Sequence, residues 1–160
     1  MSATRRSDVE FIHHVGILVS DLERSVRFYR DILGFEVLEK VDLVAGEEVS
    51  AGVGLPNTQL RLVHLGAGEG RTRIELLHYI SPKSRPIPEG AQSNDIGVGH
   101  AAFQVSDIDR YYEDLKGRGV RFISPVQESS TGEKFCYFYD PDGAILEIIQ
   151  PPEGKLRSLG

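Results

Sequence analysis

Two stretches of the chain repeat one another and decide the fold: His14-Val-Gly-Ile-Leu-Val-Ser-Asp-Leu-Glu-Arg24 and His100-Ala-Ala-Phe-Gln-Val-Ser-Asp-Ile-Asp-Arg110. They lie at a constant offset of 86 residues, and His, Val, Ser, Asp and Arg coincide at five positions. Each begins with an apolar run typical of a buried strand and continues into a Ser-Asp pair typical of a helix start. Because an internal repeat indicates architecture directly, the chain is predicted to contain two copies of one structural unit.

The sequence around these stretches completes the same order of elements in both halves. Ser20 and Glu23 form a predicted capping box, a helical apolar stripe follows, and Gly34 ends the helix. Ser106 is the corresponding cap in the second half, and residues 44–57 are predicted as a glycine-rich loop with room for an edge strand within it. The predicted strands are residues 11–19, 35–43, 58–65, 72–80, 97–105, 120–124, 134–139 and 144–150.

These elements predict one domain, residues 1–160, built from two βαβββ modules. The modules are predicted at 11–80 and 96–150, and the proline-containing segment 81–95 is predicted to link them. The chain of 160 residues, with 40% apolar residues, is large enough for a packed core.

Charge and composition narrow the classes of partner. A formal net charge of −6 argues against nucleic acid or an anionic membrane as the main partner and leaves a small-molecule substrate. No apolar stretch is long enough to span a bilayer, and a cytoplasmic location is expected. The single cysteine, Cys136, lies in a strand-like run and is predicted to be a buried small hydrophobe rather than a nucleophile.

A carboxylate stands in the middle of the last apolar strand of each half. Glu75 lies in Arg73-Ile-Glu-Leu-Leu77 and Glu147 lies in Ile145-Leu-Glu-Ile-Ile149. A buried carboxylate is costly unless it neutralises, pairs or binds a cation. If the modules pack about a pseudo-two-fold axis, two imidazoles, from His14 and His100, converge with these carboxylates. That donor set suits Zn²⁺, Ni²⁺, Co²⁺, Fe²⁺ or Mn²⁺.

Simpler interpretations apply to the other polar and aromatic residues. His13 and His64 are predicted to be ordinary core or surface residues, and His78 to be structural or at a dimer interface. Tyr137 is predicted to be a core or interface aromatic. Ion pairing with arginines is the alternative role for the two carboxylates, and the candidate arginines are Arg61 and Arg73. The glycines at 66, 68 and 70 form a predicted turn and lack the following helix that a phosphate-binding loop requires. No organic cofactor site is predicted.

Three groups of motifs resemble the vicinal oxygen chelate superfamily, which includes glyoxalase I, methylmalonyl-CoA epimerase, extradiol dioxygenases and bleomycin-binding proteins. The motifs are His14-Val-Gly-Ile with Phe28-Tyr29 and Leu33-Gly34-Phe35, then Gly99-His100-Ala with Val105-Ser-Asp, and then Phe138-Tyr-Asp-Pro-Asp-Gly143 leading into Leu146-Glu147. The resemblance covers about residues 11–150 and is strongest to the glyoxalase I and methylmalonyl-CoA epimerase-like branch. It implies an α+β fold in which two βαβββ modules, related by pseudo-two-fold symmetry, form a concave, partly open eight-stranded sheet.

The resemblance also implies a site and a chemistry. The implied metal ligands are His14, Glu75, His100 and Glu147, and the implied catalytic bases are Glu147 and Glu75. A ligand at the Glu75 position favours a redox-neutral lyase or isomerase that moves a proton next to a metal-polarised carbonyl. The alternatives are an Fe(II) extradiol-type dioxygenase and a non-catalytic antibiotic-binding resistance protein. The resemblance further implies a homodimer.

Overall fold

The strands of the protein form two four-stranded mixed sheets of identical topology in this computed structural model, which describes residues 10–152. The first half contains β1 (His14–Leu18), α1 (Leu22–Arg27) with a π-helical turn (Phe28–Ile32), β2 (Glu36–Ala45), α2 (Glu47–Val53), β3 (Gln59–Gly66) and β4 (Arg73–Ser81). The second half contains β5 (His100–Gln104), α3 (Ile108–Gly117), β6 (Gln127–Glu128), β7 (Lys134–Tyr139) and β8 (Ile145–Gln150).

The order of strands is the same in each sheet. It is β1-β4-β3-β2 in the first and β5-β8-β7-β6 in the second. The first strand of each half pairs in parallel with the last, and the other pairs are antiparallel. The predicted α+β class with two repeated modules is therefore confirmed.

Contacts divide the chain into two compact units. Among the described residues, one unit contains 10–22 and 34–84, and the other contains 23–33 and 85–152. The helical segment 23–33 therefore packs within the second unit although it follows β1 in the chain. The predicted module boundaries, 11–80 and 96–150, concern the sequence repeat and stay a prediction.

Each unit has its own apolar core, produced by the period-two alternation of its strands. In the first unit, the fully buried residues include Leu65 of β3 and Leu76 of β4. In the second, Ile108 and Leu115 lie on one face of α3, and Phe138 and Ile148 are buried in β7 and β8. Burying a side chain of this size stabilises the fold by about 2 kcal/mol.

Asp140 organises the predicted turn between β7 and β8. It is only 3% exposed, and its Oδ1 accepts hydrogen bonds from the backbone N–H groups of Asp142 (2.9 Å) and Ala144 (2.8 Å). The phenol of Tyr29 donates to Oδ2 at 3.2 Å, so segment 23–33 is held to this turn. Burial raises the pKa of the Asp140 carboxyl and also that of the Tyr29 phenol.

Three local predictions were wrong. Residues 47–53 form helix α2 where a loop or edge strand was expected; Gly54, at φ +70°, supplies a left-handed end, and two glutamates occupy the first turn. Residues 120–124 form no strand and contain only an isolated bridge from Phe122 to Phe138. The N-cap of α3 is Asp107 and not Ser106, because the Asp107 carboxylate accepts from the Arg110 backbone N–H.

Within the part of the chain that the structure describes, no helix is long and apolar enough to cross a membrane.

Candidate functional site

The parallel pairing of β1 and β4 brings His14 and Glu75 together. The register places Gly16 opposite Glu75, so His14 lies two residues along, on the same face of β1. His14 Nε2 is 3.4 Å from Glu75 Oε2, and the side chains are 41% and 13% exposed. The carboxylate is thus mostly buried, whereas the imidazole is open to a ligand.

The parallel pairing of β5 and β8 repeats this arrangement in the second unit. Ala102 stands opposite Glu147, and His100 again lies two residues along. His100 Nε2 is 3.1 Å from Glu147 Oε2, and the side chains are 43% and 10% exposed. Each unit therefore brings its predicted His and Glu together; their role as metal ligands and bases stays a prediction.

A small residue faces each carboxylate across the parallel pair. A Cβ added at Gly16 would lie 3.1 Å from Leu77 Cδ1 and 4.0 Å from Glu75 Oε2. Ala102 is the equivalent residue beside Glu147. Larger side chains at these two positions would crowd the carboxylates, because they would project from the same face.

His64 contacts the first carboxylate, which corrects its interpretation as an ordinary core or surface residue. Its Nε2 lies 2.8 Å from Glu75 Oε1, and its Nδ1 lies 3.1 Å from Glu39 Oε2. The antiparallel pairing of β3 and β4 places His64 opposite Glu75. The signal available in the sequence was the predicted hairpin turn, which fixes this pairing only once its geometry is known.

Tyr137 occupies the equivalent position in the second unit. It stands opposite Glu147 in the β7–β8 pair, with its phenol near enough to interact electrostatically with that carboxylate. Burial and then the negative charge of Glu147 raise the pKa of the Tyr137 phenol. Its ring meets the His100 ring edge-on at 5.1 Å between centroids. Tyr137 is therefore part of the site and more than the core or interface aromatic that was expected.

The remaining histidines have local partners in the first unit. His13 Nδ1 is 2.8 Å from His14 Nδ1, and His78 Nδ1 is 3.1 Å from the Val19 carbonyl oxygen. The contact of His78 agrees with a structural role. Arg61 was a candidate partner for Glu75, and its Nη2 lies 3.5 Å from Asp42 Oδ1. Glu75 itself contacts His14 and His64.

The donor atoms of each pair fit a divalent metal in chemistry. Imidazole nitrogen and carboxylate oxygen suit borderline divalent cations, and a mostly buried carboxylate favours a cationic partner. Within residues 10–152, no group of three or more His, Cys, Asp and Glu side chains is placed to hold a metal ion. Each unit thus supplies one His–Glu pair, and each pair supplies two donor groups.

Comparison with known proteins identifies the family. Residues 11–148 match the model of the Glyoxalase/Bleomycin resistance protein/Dioxygenase superfamily, and the chain belongs to this family. It is 32% identical to the probable lactoylglutathione lyase of Synechocystis sp., over 91% of this chain and 98% of that protein. It is 31% identical to the mitochondrial methylmalonyl-CoA epimerase of Homo sapiens, over 87% of this chain and 73% of that protein.

A solved structure supports the same fold. The crystal structure of a glyoxalase family protein from Bacillus cereus superposes with a TM-score of 0.80 at 22% identity, covering 92% of this chain and 98% of that one. The family and its glyoxalase and epimerase branch are therefore those that the sequence motifs predicted.

Proposed function

We propose that this protein is a metal-dependent, redox-neutral enzyme that moves a proton next to a carbonyl group of a small molecule, as a lyase or an isomerase. The observation that carries the proposal is the repeated pair: His14 with Glu75, and His100 with Glu147, each at equivalent strand positions. We further propose that these four side chains are the metal ligands.

The relatives support the redox-neutral choice over the dioxygenase and the antibiotic-binding alternatives. The probable lactoylglutathione lyase and the methylmalonyl-CoA epimerase carry the names of a lyase and an epimerase, which are redox-neutral classes of enzyme. Glu75, with its histidine partners, supports the same choice, because a carboxylate in each half provides two candidate bases.

The chain's own residues suit proton transfer. Glu75 or Glu147 would take the proton from the carbon next to the carbonyl and return it to the adjacent carbon or to the opposite face, so no electron acceptor is needed. Tyr137, which stands opposite Glu147 in the β7–β8 pair, would help to hold that carboxylate in position. A divalent metal, when bound, would polarise the substrate carbonyl and favour loss of the proton.

Metal content and isotope exchange test the proposal together. Protein purified without chelator should contain stoichiometric divalent metal, and His14→Ala combined with His100→Ala should abolish it. The loaded enzyme should incorporate deuterium from D₂O into methylmalonyl-CoA or lactoylglutathione. Glu147→Gln or Glu75→Gln should slow this exchange by about 10²- to 10⁴-fold.

The controls separate this function from the alternatives. His78→Gln, at a histidine that contacts the Val19 carbonyl, should leave metal content unchanged. Wild-type protein that takes up no metal on reconstitution would contradict the proposal. Oxygen consumption with catechols under Fe²⁺ loading, without proton exchange, would instead favour the dioxygenase.

A further inference from the structure

The neighbours of the two carboxylates differ, although the carboxylates themselves occupy equivalent positions. Glu75 stands opposite His64 and Glu147 stands opposite Tyr137. His64 has a second ring nitrogen that can contact a further side chain on the next strand, whereas the phenol of Tyr137 has only one hydroxyl group. The two halves are therefore unlike in what lies behind each carboxylate.

Three side chains continue in register across the first sheet. The β2–β3 pairing sets Glu39 opposite His64, and the β3–β4 pairing sets His64 opposite Glu75. The resulting contacts are Glu39 Oε2 to His64 Nδ1 at 3.1 Å and His64 Nε2 to Glu75 Oε1 at 2.8 Å. Both ring nitrogens of His64 are thus engaged, which fixes the plane of its ring.

The burial of both side chains distinguishes the contact between His64 and Glu75 from an ion pair on the protein surface. The side chains of His64 and Glu75 are each 13% exposed, while that of Glu39 is 56% exposed. A hydrogen bond shielded from water holds its partners more firmly than an exposed one. The other oxygen of Glu75, Oε2, faces His14 at 3.4 Å.

We propose that His64, held by Glu39, is a positioning residue that binds Oε1 of Glu75 and leaves Oε2 directed toward His14. This inference rests on the proposed function, because it assigns His64 to the orientation of a proposed metal ligand. Partners of this kind orient ligands in metal sites, and their loss typically weakens metal binding about 10- to 100-fold. The corresponding place in the second unit is taken by Tyr137.

Cobalt binding provides a readout that does not depend on turnover. Each variant is loaded with Co²⁺, its dissociation constant is measured by competition with a chelator, and its visible absorption spectrum is recorded. His64→Leu should weaken binding about 10- to 100-fold and change the spectrum. His64→Gln, whose amide can donate to Oε1, should restore most of the affinity and the wild-type spectrum.

Glu39 supplies the matched comparison. Glu39→Ala should weaken Co²⁺ binding less than His64→Leu does, because it frees the ring without removing it. Glu36→Ala, at an exposed position on the same strand, should leave affinity and spectrum unchanged. If His64→Leu does not fold, as judged by circular dichroism, the pair His64→Gln and Glu39→Ala still tests the inference.

The outcomes distinguish this inference from the proposed function. Wild-type affinity and spectrum in His64→Leu, or in folded Glu39→Ala when His64→Leu does not fold, would overturn the positioning role and leave the metal-dependent enzyme intact. Wild-type protein that binds no Co²⁺ would contradict the proposed function and, with it, this inference. Equal losses in His64→Leu and His64→Gln would also overturn the inference, since the donated hydrogen bond would then not matter.

Discussion

At the scale of single residues, two buried side chains in the second unit have pKa values above those that the same residue types have in water. Cys136 is fully buried in β7, and Asp140 is 3% exposed in the turn that follows. Burial disfavours the charged form of each group, so both pKa values move upward. The chemical consequence is an inert thiol and a carboxyl that takes up protons more readily than usual.

Cys136 should resist thiol reagents in the folded protein. Burial, followed by the negative charge of Glu147, raises its pKa to about 12, so almost no thiolate exists near neutral pH. A chromogenic disulfide reagent should therefore react slowly with native protein and rapidly in denaturant, as followed by absorbance. Equal rates under the two conditions would contradict this prediction.

Asp140→Ala should destabilise the protein by about 2 kcal/mol, because it leaves two partly buried backbone N–H groups without their acceptor. Urea unfolding followed by circular dichroism measures this loss. Asp42→Ala, at a side chain that is 76% exposed, is the matched control and should change stability by less than about 1 kcal/mol. An equal effect of the two substitutions would refute the role of Asp140.

The stability of the wild type relative to Asp140→Asn should depend on pH. A carboxyl whose pKa is raised on folding holds its proton more tightly in the native state. The native state is therefore favoured by this group at low pH, and the advantage is lost as the pH rises from 3.8, its ordinary value, through the raised pKa. Urea titrations at several pH values should show wild type losing stability relative to the variant over that window.

At the scale of elements, helix α2 shows how two glycines two positions apart in the sequence can have opposite effects on stability. Gly52 lies inside the helix with open space where a Cβ would be, whereas Gly54 ends it at φ +70°. Glycine in a helix interior lowers stability, because it makes the unfolded chain more flexible and so raises the entropy lost on folding. At a helix end, glycine adopts the left-handed conformation without steric strain. The two positions therefore form an internal comparison.

Gly52→Ala should stabilise the protein by about 0.5–1 kcal/mol, and Gly54→Ala should destabilise it by about 1 kcal/mol. Neither added methyl group meets an atom within 4 Å, so backbone conformation alone separates the two outcomes. Thermal unfolding of both variants checks the sign. The same sign in both would contradict the assigned ends of α2.

The strands and helices of the repeated stretches, and also strands β3, β4, β7 and β8, could be predicted from sequence, whereas helix α2 and the cross-strand neighbours of the two carboxylates could not. Strands β1 and β5 were predicted from their apolar runs, and the structure places His14 and His100 at the first positions of these strands. Helix α2 has only seven residues, no side-chain cap and an internal glycine, so its local signal is weak. The partners His64 and Tyr137 depend on cross-strand register, which alternation alone does not determine.

At the scale of the whole molecule, the state of assembly remains a prediction. We propose a homodimer, as the family resemblance implies. Multi-angle light scattering should then give twice the chain mass of 17.7 kDa. A monomer mass that persists across a concentration series would refute the dimer.

The placement of Glu23–Leu33 in the second unit has a consequence for dividing the protein. A fragment beginning at Arg85 would lack Tyr29, and the Asp140 carboxyl would lose the phenol that donates to it. The complementary fragment would carry an amphipathic segment whose packing partners had been removed. The two sequence halves therefore cannot be exchanged or expressed as independent modules, because the second compact unit also needs Glu23–Leu33 from the first half.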